Sequence, residues 1–504
     1  MCDIGNVASR VLALDIGTSS VRAGLYGEDG RSLPGAAARL PHQVRYLPDG
    51  GVEADPDILL ALVETAIARS LQASPGPVAA VGISCFWHSL LGLDAAGRPS
   101  TPLLLWADTR SAADARAFAR RVDPVAVRAR TGCRPHSSYL PAKLLWVRRA
   151  HPDRWARTRR WLSFGEYLTL RLNGEVVVSE SMASASGLWD QFARRWDPEV
   201  LEAVGLVADT LPPVADLTAV PLRQQPAGRW PGLAGTPWLL PAGDGACNNL
   251  GSGATRADRL ALMIGTSGAV RRMCTGGPWT VPPGLWQYRL DGRRGLVGGA
   301  LSNGGNLHQW LLDALRLPTG DLDAALAALP PAAHGLVFLP LLAGERSPGW
   351  EPGAFGAVVG LREGTTPLDV LRAGLEGVAV RFAALVAELG GARTLIASGG
   401  GIWNSGAWAQ ILADAVGGDL QCCAEPEPSS RGAALLALEA CGRVPDAGAL
   451  EAPLGAVVRA DPARHACYER LRTRQERLYR VLRDDPVIGF ADDSGAAPPE
   501  GAQP

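Results

Sequence analysis

Apolar residues first gather in two short runs, Val11 to Ile16 and Val21 to Tyr26, separated by Gly17-Thr18-Ser19-Ser20 and followed by Asp29-Gly30. Runs of this length bounded by turn residues predict a β-hairpin. From Asp57 to Leu71 the period changes, because Ile58, Leu59, Leu62, Val63, Ile67 and Leu71 fall on one face of a helix. Val78 to Ser84 returns to a strand pattern and runs into Phe86-Trp87-His88-Ser89, then Leu90 to Leu93 and the turn Asp94 to Gly97. Further on, Leu260 to Ser267, Leu296 to Leu301, Leu336 to Leu342 and Thr394 to Ser398 predict strands, whereas Leu307 to Leu315, Pro367 to Leu389 and Trp408 to Val416 predict helices. Strands alternating with helices place the chain in the α/β class. The middle, Thr131 to Pro213, is the least regular part, and Thr210 to Gln225 is punctuated by proline and reads as a connection. Asp492 to Pro504, rich in Asp, Pro, Gly and Ala, is expected to be a disordered tail.

Size and charge narrow the function. A chain of 504 residues exceeds what one hydrophobic core organises, so two domains are expected. Lys and Arg number 49 against 50 Asp and Glu, a balance that argues against a nucleic-acid or anionic-membrane partner and favours a small molecule. The nine cysteines form no C-x-x-C pair, which suits a reduced, cytoplasmic setting. Met1 to Arg10 lacks the layout of a signal peptide, and no apolar stretch reaches the roughly 18 residues of a membrane span, so a soluble protein is expected. The chain has a single lysine, Lys143, in Ala142-Lys143-Leu144, so it contains no Walker A loop and offers little to Schiff-base or protein-kinase chemistry.

The candidate chemistry begins with a repeated phrase. Ile16-Gly17-Thr18-Ser19 and Ile264-Gly265-Thr266-Ser267 each end an apolar run, about half a chain apart. Such turns offer backbone N–H groups and hydroxyls to a phosphate. Repetition at this spacing suggests two related halves. The copies differ just before the phrase, where the first has Asp15 and the second has Met263. A carboxylate there can hold Mg²⁺, so the first turn is expected to own the metal and the second to cradle phosphate alone. Ser398-Gly399-Gly400-Gly401, followed by Asn404 and a helix, places bare backbone where a base or ribose could lie. In Gly243-Asp244-Gly245 a carboxylate at a strand end is free to take a proton from a sugar hydroxyl. Trp87-His88 and Trp106-Ala107-Asp108-Thr109-Arg110 combine aromatic faces with polar groups suited to a polyhydroxylated ligand, and Arg110 or His88 could face a carboxylate. The alternative for the second cluster is an Asp108–Arg110 salt bridge beside a core tryptophan.

Taken in order and spacing, the Asp15–Ser20, Gly243–Gly245, Gly265–Gly268 and Ser398–Gly401 motifs resemble the FGGY family of carbohydrate kinases, from about Val11 to about Leu482. The resemblance implies two ribonuclease-H-like domains of the actin and hexokinase superfamily, over 1–253 and 254–485, with sugar and ATP in the cleft between them and a tail over 486–504. It implies ATP and Mg²⁺ as cofactors, Asp244 as general base and Asp15 at the metal. It further implies Gly17, Thr18, Ser19, Gly265, Thr266, Gly304, Gly399, Gly400 and Asn404 around the nucleotide, and Trp87, His88, Trp106, Asp108 and Arg110 with Asp244 at the sugar. It also accounts for the missing P-loop lysine, since this family positions ATP with backbone loops and Mg²⁺. Within the family, Trp87-His88-Ser89, Leu105 to Ser111, Thr131 to Lys143, Ala183 to Asp190 and Gly344 to Pro348 look most like gluconate kinases. Xylulose kinases come next, and they tend to have methionine where this chain has Trp87. An actin-like protein that binds ATP without phosphorylating sugar is the alternative from another class. A nicotinamide-dependent dehydrogenase is disfavoured because Gly17-Thr18-Ser19 does not supply G-x-G-x-x-G. The expected partners are a sugar or sugar acid and ATP, with a homodimer left open.

Overall fold

The hairpin at the start of the chain is the seed of a sheet, and that sheet is built twice. The computed structural model describes residues 10–217, 229–233, 235–277, 279, 281–351, 353–391, 394–485 and 489–490, so the expected tail at 492–504 and part of the connection at 210–225 lie outside the described residues. Strands β1 (Arg10–Ile16), β2 (Ser20–Gly27), β3 (Ser32–Pro41), β4 (Val81–Cys85) and β5 (Ala242–Gly243) form one sheet in the order β5-β4-β1-β2-β3. Strands β6 (Arg259–Ile264), β7 (Gly268–Thr275), β8 (Trp286–Arg289), β9 (Arg294–Leu301), β10 (Thr394–Ser398), β11 (Leu420–Cys423) and β12 (Leu454–Val458) form the other in the order β8-β9-β7-β6-β10-β11-β12. The central five strands, β9-β7-β6-β10-β11, repeat the first sheet, with one added strand at each edge. In both sheets the hairpin partner is antiparallel and the strand on the other side parallel. This is a two-domain α/β fold with ribonuclease-H-like sheets.

The register carries the asymmetry seen in the repeated phrase. Asp15 stands opposite Arg22 on β2 and Ser84 on β4. Met263, its counterpart, stands opposite Ala269 on β7 and Ser398 on β10. Periodicity did not reveal β7, because Arg271 and Arg272 interrupt its apolar run. Several boundaries also tighten: the strands read as Val78 to Ser84 and Leu336 to Leu342 span Val81–Cys85 and Val337–Leu339.

Helix α1 (Pro56–Ala73) covers the first sheet, and its start is held by Asp55, whose side chain accepts from the backbone N–H groups of Asp57 and Ile58. Two helices then lock the halves together. Helix α2 (Asp244–Ser252) follows β5, and α6 (Pro428–Ala440) packs back against α2 and the first sheet, although it follows the second sheet's β11. Its residues Ala433 to Leu438 belong to the first sheet's core. Between α2 and α6, in chain order, α3 (Gly305–Ala314), α4 (Pro367–Glu388) and α5 (Gly406–Val416) serve the second half.

The α2–α6 contact is backbone against backbone. A Cβ on Gly251 would meet the Pro428 carbonyl oxygen at 1.7 Å, and one on Gly432 the Cys247 oxygen at 1.9 Å. The neighbouring Arg431 is fully buried; its Nε donates to the Gly30 oxygen at 3.0 Å, Nη1 to that of Gly251 at 2.8 Å and Nη2 to that of Glu451 at 2.8 Å. These carbonyls lie on segments far apart in sequence, so one side chain ties the crossing together. Gly432→Ala is expected to destabilise the protein by about 3 kcal/mol, because carbonyl backbone, unlike a flexible side chain, cannot give way. Urea unfolding with the same change at the unhindered Gly364 as control checks this; equal midpoints would refute the close-contact account.

Candidate active site

Asp15 is the penultimate residue of β1, just ahead of the first glycine turn. Its Oδ1 accepts from Ser84 Oγ at 2.8 Å and its Oδ2 from Arg22 Nη1 at 3.0 Å, while Arg22 Nε also pairs with Glu427 at 2.8 Å. Burial raises the Asp15 pKa, with Arg22 and Ser84 opposing the rise. In the turn itself, Gly17 N–H donates to the Ser20 oxygen and His42 N–H to the Ser19 oxygen, leaving Thr18 to line the cavity between the halves.

Asp244 is the first residue of α2. The flanking glycines have a reason beyond freeing the carboxylate: the Trp87 indole lies on them. A Cβ on Gly243 would stand 1.8 Å from that ring, and one on Gly245 2.6 Å. Trp87 Nε1 donates to the Ser181 oxygen at 3.0 Å, and the ring meets the stacked pair Trp286–Tyr288 edge-on. Burial pushes the Asp244 carboxyl up to about 6, with Arg271 pulling it down and Asp15 pushing it further up.

The resulting cavity has a volume of about 210 Å³. The first half supplies Thr18, Trp87, His88, Trp106 and Asp244, and the second supplies the Gly265–Gly268 turn, Arg271, Tyr288 and Arg346. His88 has φ 64, a left-handed conformation rare outside glycine. Its Nδ1 lies 2.7 Å from the Ala185 oxygen, so Nδ1 carries the proton and Nε2 keeps a lone pair for a hydroxyl. Burial and then the charge of Lys143 lower its pKa to about 3, so the ring is neutral. Lys143, the single lysine, is buried behind this wall; its Nζ donates to the His88 oxygen at 2.6 Å and the Ser138 oxygen at 2.9 Å. Burial lowers its pKa to about 7. Arg346 lies over Trp106, 4.5 Å from the ring centroid, and with it borders a second chamber of about 470 Å³.

On the other side of the second turn lies a cavity of about 720 Å³, lined by Gly265, Thr266, Gly305, Asn306, Trp310, Gly400, Asn404 and Trp408 among others. The start of α3 holds the turn in place, since Gly305 N–H donates to the Gly265 oxygen at 2.8 Å and Asn306 N–H to the Thr266 oxygen at 3.0 Å. Gly304 packs against the Ser267 backbone, and Gly399 against the Ile264 carbonyl; neither lines this cavity, and both shape its walls. Gly265 and Thr266 line both cavities.

Asp108 and Arg110 are drawn elsewhere. Arg110 Nη2 donates to Asp108 Oδ2 at 2.6 Å and to Glu53 at 2.8 Å, and its guanidinium lies 4.3 Å from the Trp146 ring centroid. The Val52 N–H completes the Asp108 shell. Neither residue lines the cavity that Trp87, His88, Trp106 and Asp244 share. Sequence reading passed over Arg271, Tyr139 and Tyr288, all three of which line this cavity, and the position of Lys143 behind it. The available signals were a charged pair inside an apolar run and the solitary lysine.

Two lobes, each a ribonuclease-H-like sheet ending in a glycine-hydroxyl turn on a common cleft, define the actin- and hexokinase-like class. Residues 10–251 match the N-terminal domain of the FGGY family of carbohydrate kinases and residues 260–441 match its C-terminal domain, and the chain belongs to that family. It is 29% identical over 484 residues to the gluconokinase of Bacillus subtilis (strain 168), covering 92% of this chain and 94% of that protein. It is 30% identical over 493 residues to the xylulose kinase of Escherichia coli (strain K12), covering 94% and 99%. The crystal structure of gluconate kinase from Lactobacillus acidophilus matches it with a TM-score of 0.86 at 26% identity, over 94% of this chain and 98% of that one. No helix among the described residues is long and apolar enough to cross a membrane.

The buried carboxyl at Asp244 has a consequence for stability. Its folded pKa, about 6, lies above the ordinary 3.8, so the folded state favours the protonated acid and loses stability as pH rises through about 6. Asp244→Asn is therefore expected to stabilise the fold by about 1 kcal/mol at pH 8 and by less at pH 5. Thermal unfolding at the two pH values checks the sign; a larger gain at pH 5 would contradict it.

Proposed function

We propose that the protein is a gluconokinase, transferring the γ-phosphoryl group of ATP to the primary hydroxyl of gluconate to give 6-phosphogluconate and ADP. The observation that carries this reading is the Gly265–Thr266 turn, a wall common to the 210 Å³ and 720 Å³ cavities. A nucleotide in the larger cavity would present its terminal phosphate across that turn to a sugar in the smaller one. Asp244 faces the smaller cavity and takes the hydroxyl proton as the oxygen attacks phosphorus and the bond to the ADP oxygen breaks. A carboxylate raised toward 6 is a stronger base than an ordinary one and is still ionised at neutral pH.

Asp15 stands just before the first turn, and its charge raises the Asp244 pKa. Among the described residues no group of three or more His, Cys, Asp or Glu gathers around a metal-sized point. That sparse donor set fits Mg²⁺, which keeps several waters and binds through one or two carboxylates and the substrate phosphates. Asp15 would hold it, and when bound it would offset charge on the phosphate oxygens. Neutral His88, with Nε2 as acceptor, and the Trp87 and Trp106 faces would hold the sugar chain.

Gluconate is favoured over xylulose by the likeness to gluconokinases, by the Trp87 indole in place of the methionine typical of xylulose kinases, and by two guanidinium groups on the cavity wall. Xylulose remains the second reading because of the likeness to the Escherichia coli enzyme. The cell compartment proposed is the cytoplasm, where ATP is supplied. ADP production across gluconate, xylulose, ribulose, glycerol and no sugar tests the substrate: the greatest kcat/KM is expected with gluconate, and absence of any sugar-dependent turnover would favour an ATP-binding protein.

Asp244→Ala is expected to lower kcat by about 10³-fold while sparing ATP binding, as measured by turnover and nucleotide titration. Near-wild-type turnover would remove Asp244 from the mechanism. In the wild type, kcat/KM should fall below about pH 6 with the slope of one proton, as the Asp244 carboxylate becomes protonated.

A further inference from the structure

Arg271 is a buried guanidinium with no carboxylate in direct contact. It stands on β7 facing α2, where Nε donates to Asn249 Oδ1 at 3.0 Å and Nη2 to Asn248 Oδ1 at 2.9 Å. Both partners are neutral amides, and no carboxylate among the described residues comes within ion-pair distance of it. Burial draws its pKa down to about 10, with the charge of Asp244 opposing the shift. A buried charge whose hydrogen-bond partners are all neutral is costly, and an anionic ligand at its free edge would offset that cost.

The third nitrogen, Nη1, points to where that anion goes. It has no protein acceptor among the described residues, and a Cβ on Gly245 would lie 3.2 Å from it, beside the Trp87 ring. The same strand sets its depth. Ala269 and Arg271 share a face of β7, so Arg271 lies one strand repeat beyond Ala269, away from the Gly265–Ser267 turn, with its Nε and Nη2 partners about a turn of α2 beyond Asp244 and Nη1 beside Gly245. A ligand whose reacting hydroxyl sits at Asp244 can therefore reach Arg271 with its far end. Arg346, the other cation in this cavity, lies over Trp106 where the two chambers meet and donates to the Leu301 oxygen.

We propose that Arg271 is the carboxylate receptor of the sugar cavity, a specificity-determining residue that selects aldonic acids over neutral sugars and polyols. The two asparagines orient the guanidinium and leave one N–H edge for the substrate carboxylate, whose charge would pair with it. This inference rests on the gluconokinase reading and adds the group that reads the acid.

Calorimetric titration of the nucleotide-free enzyme with gluconate, gluconamide and D-glucitol compares one carbon chain with and without its charge, and leaves out any contact to phosphate. The wild type is expected to bind gluconate about 30-fold more tightly than either neutral analogue. Arg271→Met should erase most of that preference and raise KM for gluconate far more than KM for ATP, with Arg271→Lys recovering part of it. Equal wild-type affinity for acid and amide overturns the inference without recourse to any variant, and so does an Arg271→Met protein that keeps the preference. A fall in kcat with KM for gluconate kept would assign Arg271 to the transferring phosphoryl group, which also overturns it. Wild-type turnover of gluconate without an acid preference sinks the inference alone. A wild type that neither binds nor phosphorylates any aldonate sinks the gluconokinase reading with it.

Discussion

The molecule depends on the crossing of two helices at Gly251 and Gly432. There α2 and α6 approach until each presses its backbone on a carbonyl of the other, a distance that any side chain would forbid. Because α2 opens with Asp244 and α6 packs on β1 and β4, the contact sets the height of the acid above the first glycine turn. Asn248 and Asn249, on the same helix, hold Arg271 of the second sheet. One helix thus carries Asp244 into the cleft and connects it to the opposite lobe. Arg431 makes the crossing cooperative by bonding to carbonyls on three otherwise separate segments.

Desolvation does most of the electrostatic work in the cleft. It raises Asp244 toward neutrality, lowers Lys143 and His88, and leaves Arg271 a cation among amides. Lys143, His88 and Arg271 are held by hydrogen bonds to fixed backbone or amide oxygen, and Asp244 accepts from the Gly245 N–H, contacts that cost little reorganisation when a ligand arrives. The Lys143 ammonium is an instance: two carbonyls from different segments converge on it, and one belongs to His88, whose left-handed backbone needs such support.

Much of the fold was legible, because short β/α elements with clean periodicity declare themselves. The hairpin Arg10–Ile16 and Ser20–Gly27, helix Pro56–Ala73 and helix Pro367–Glu388 follow the apolar pattern within a few residues. Strand Gly268–Thr275 did not, since a strand that carries a buried arginine toward a ligand looks polar where the periodicity requires an apolar residue. The Trp106–Arg110 stretch shows the converse limit. Its chemistry suits a sugar, yet of its aromatic, acid and guanidinium only Trp106 reaches the cavity, because Asp108 and Arg110 find partners in each other, in Glu53 and in the Val52 backbone.

By itself the sequence determined that the chain has two α/β halves, that each carries a phosphate-sized turn, and that only the first turn has an acid before it. These are local properties, written in the spacing of apolar residues and in the residue types that a turn demands. Tertiary structure alone decided which charged groups share a space. Arg271 stands opposite Asn248 and Asn249, Lys143 lies behind His88, and Trp87 covers the glycines around Asp244 because helices and strands distant in the chain were packed together. The reason is physical: the cost of burying a charge and the direction of a pKa shift depend on neighbours through space, and no spacing along the chain records them.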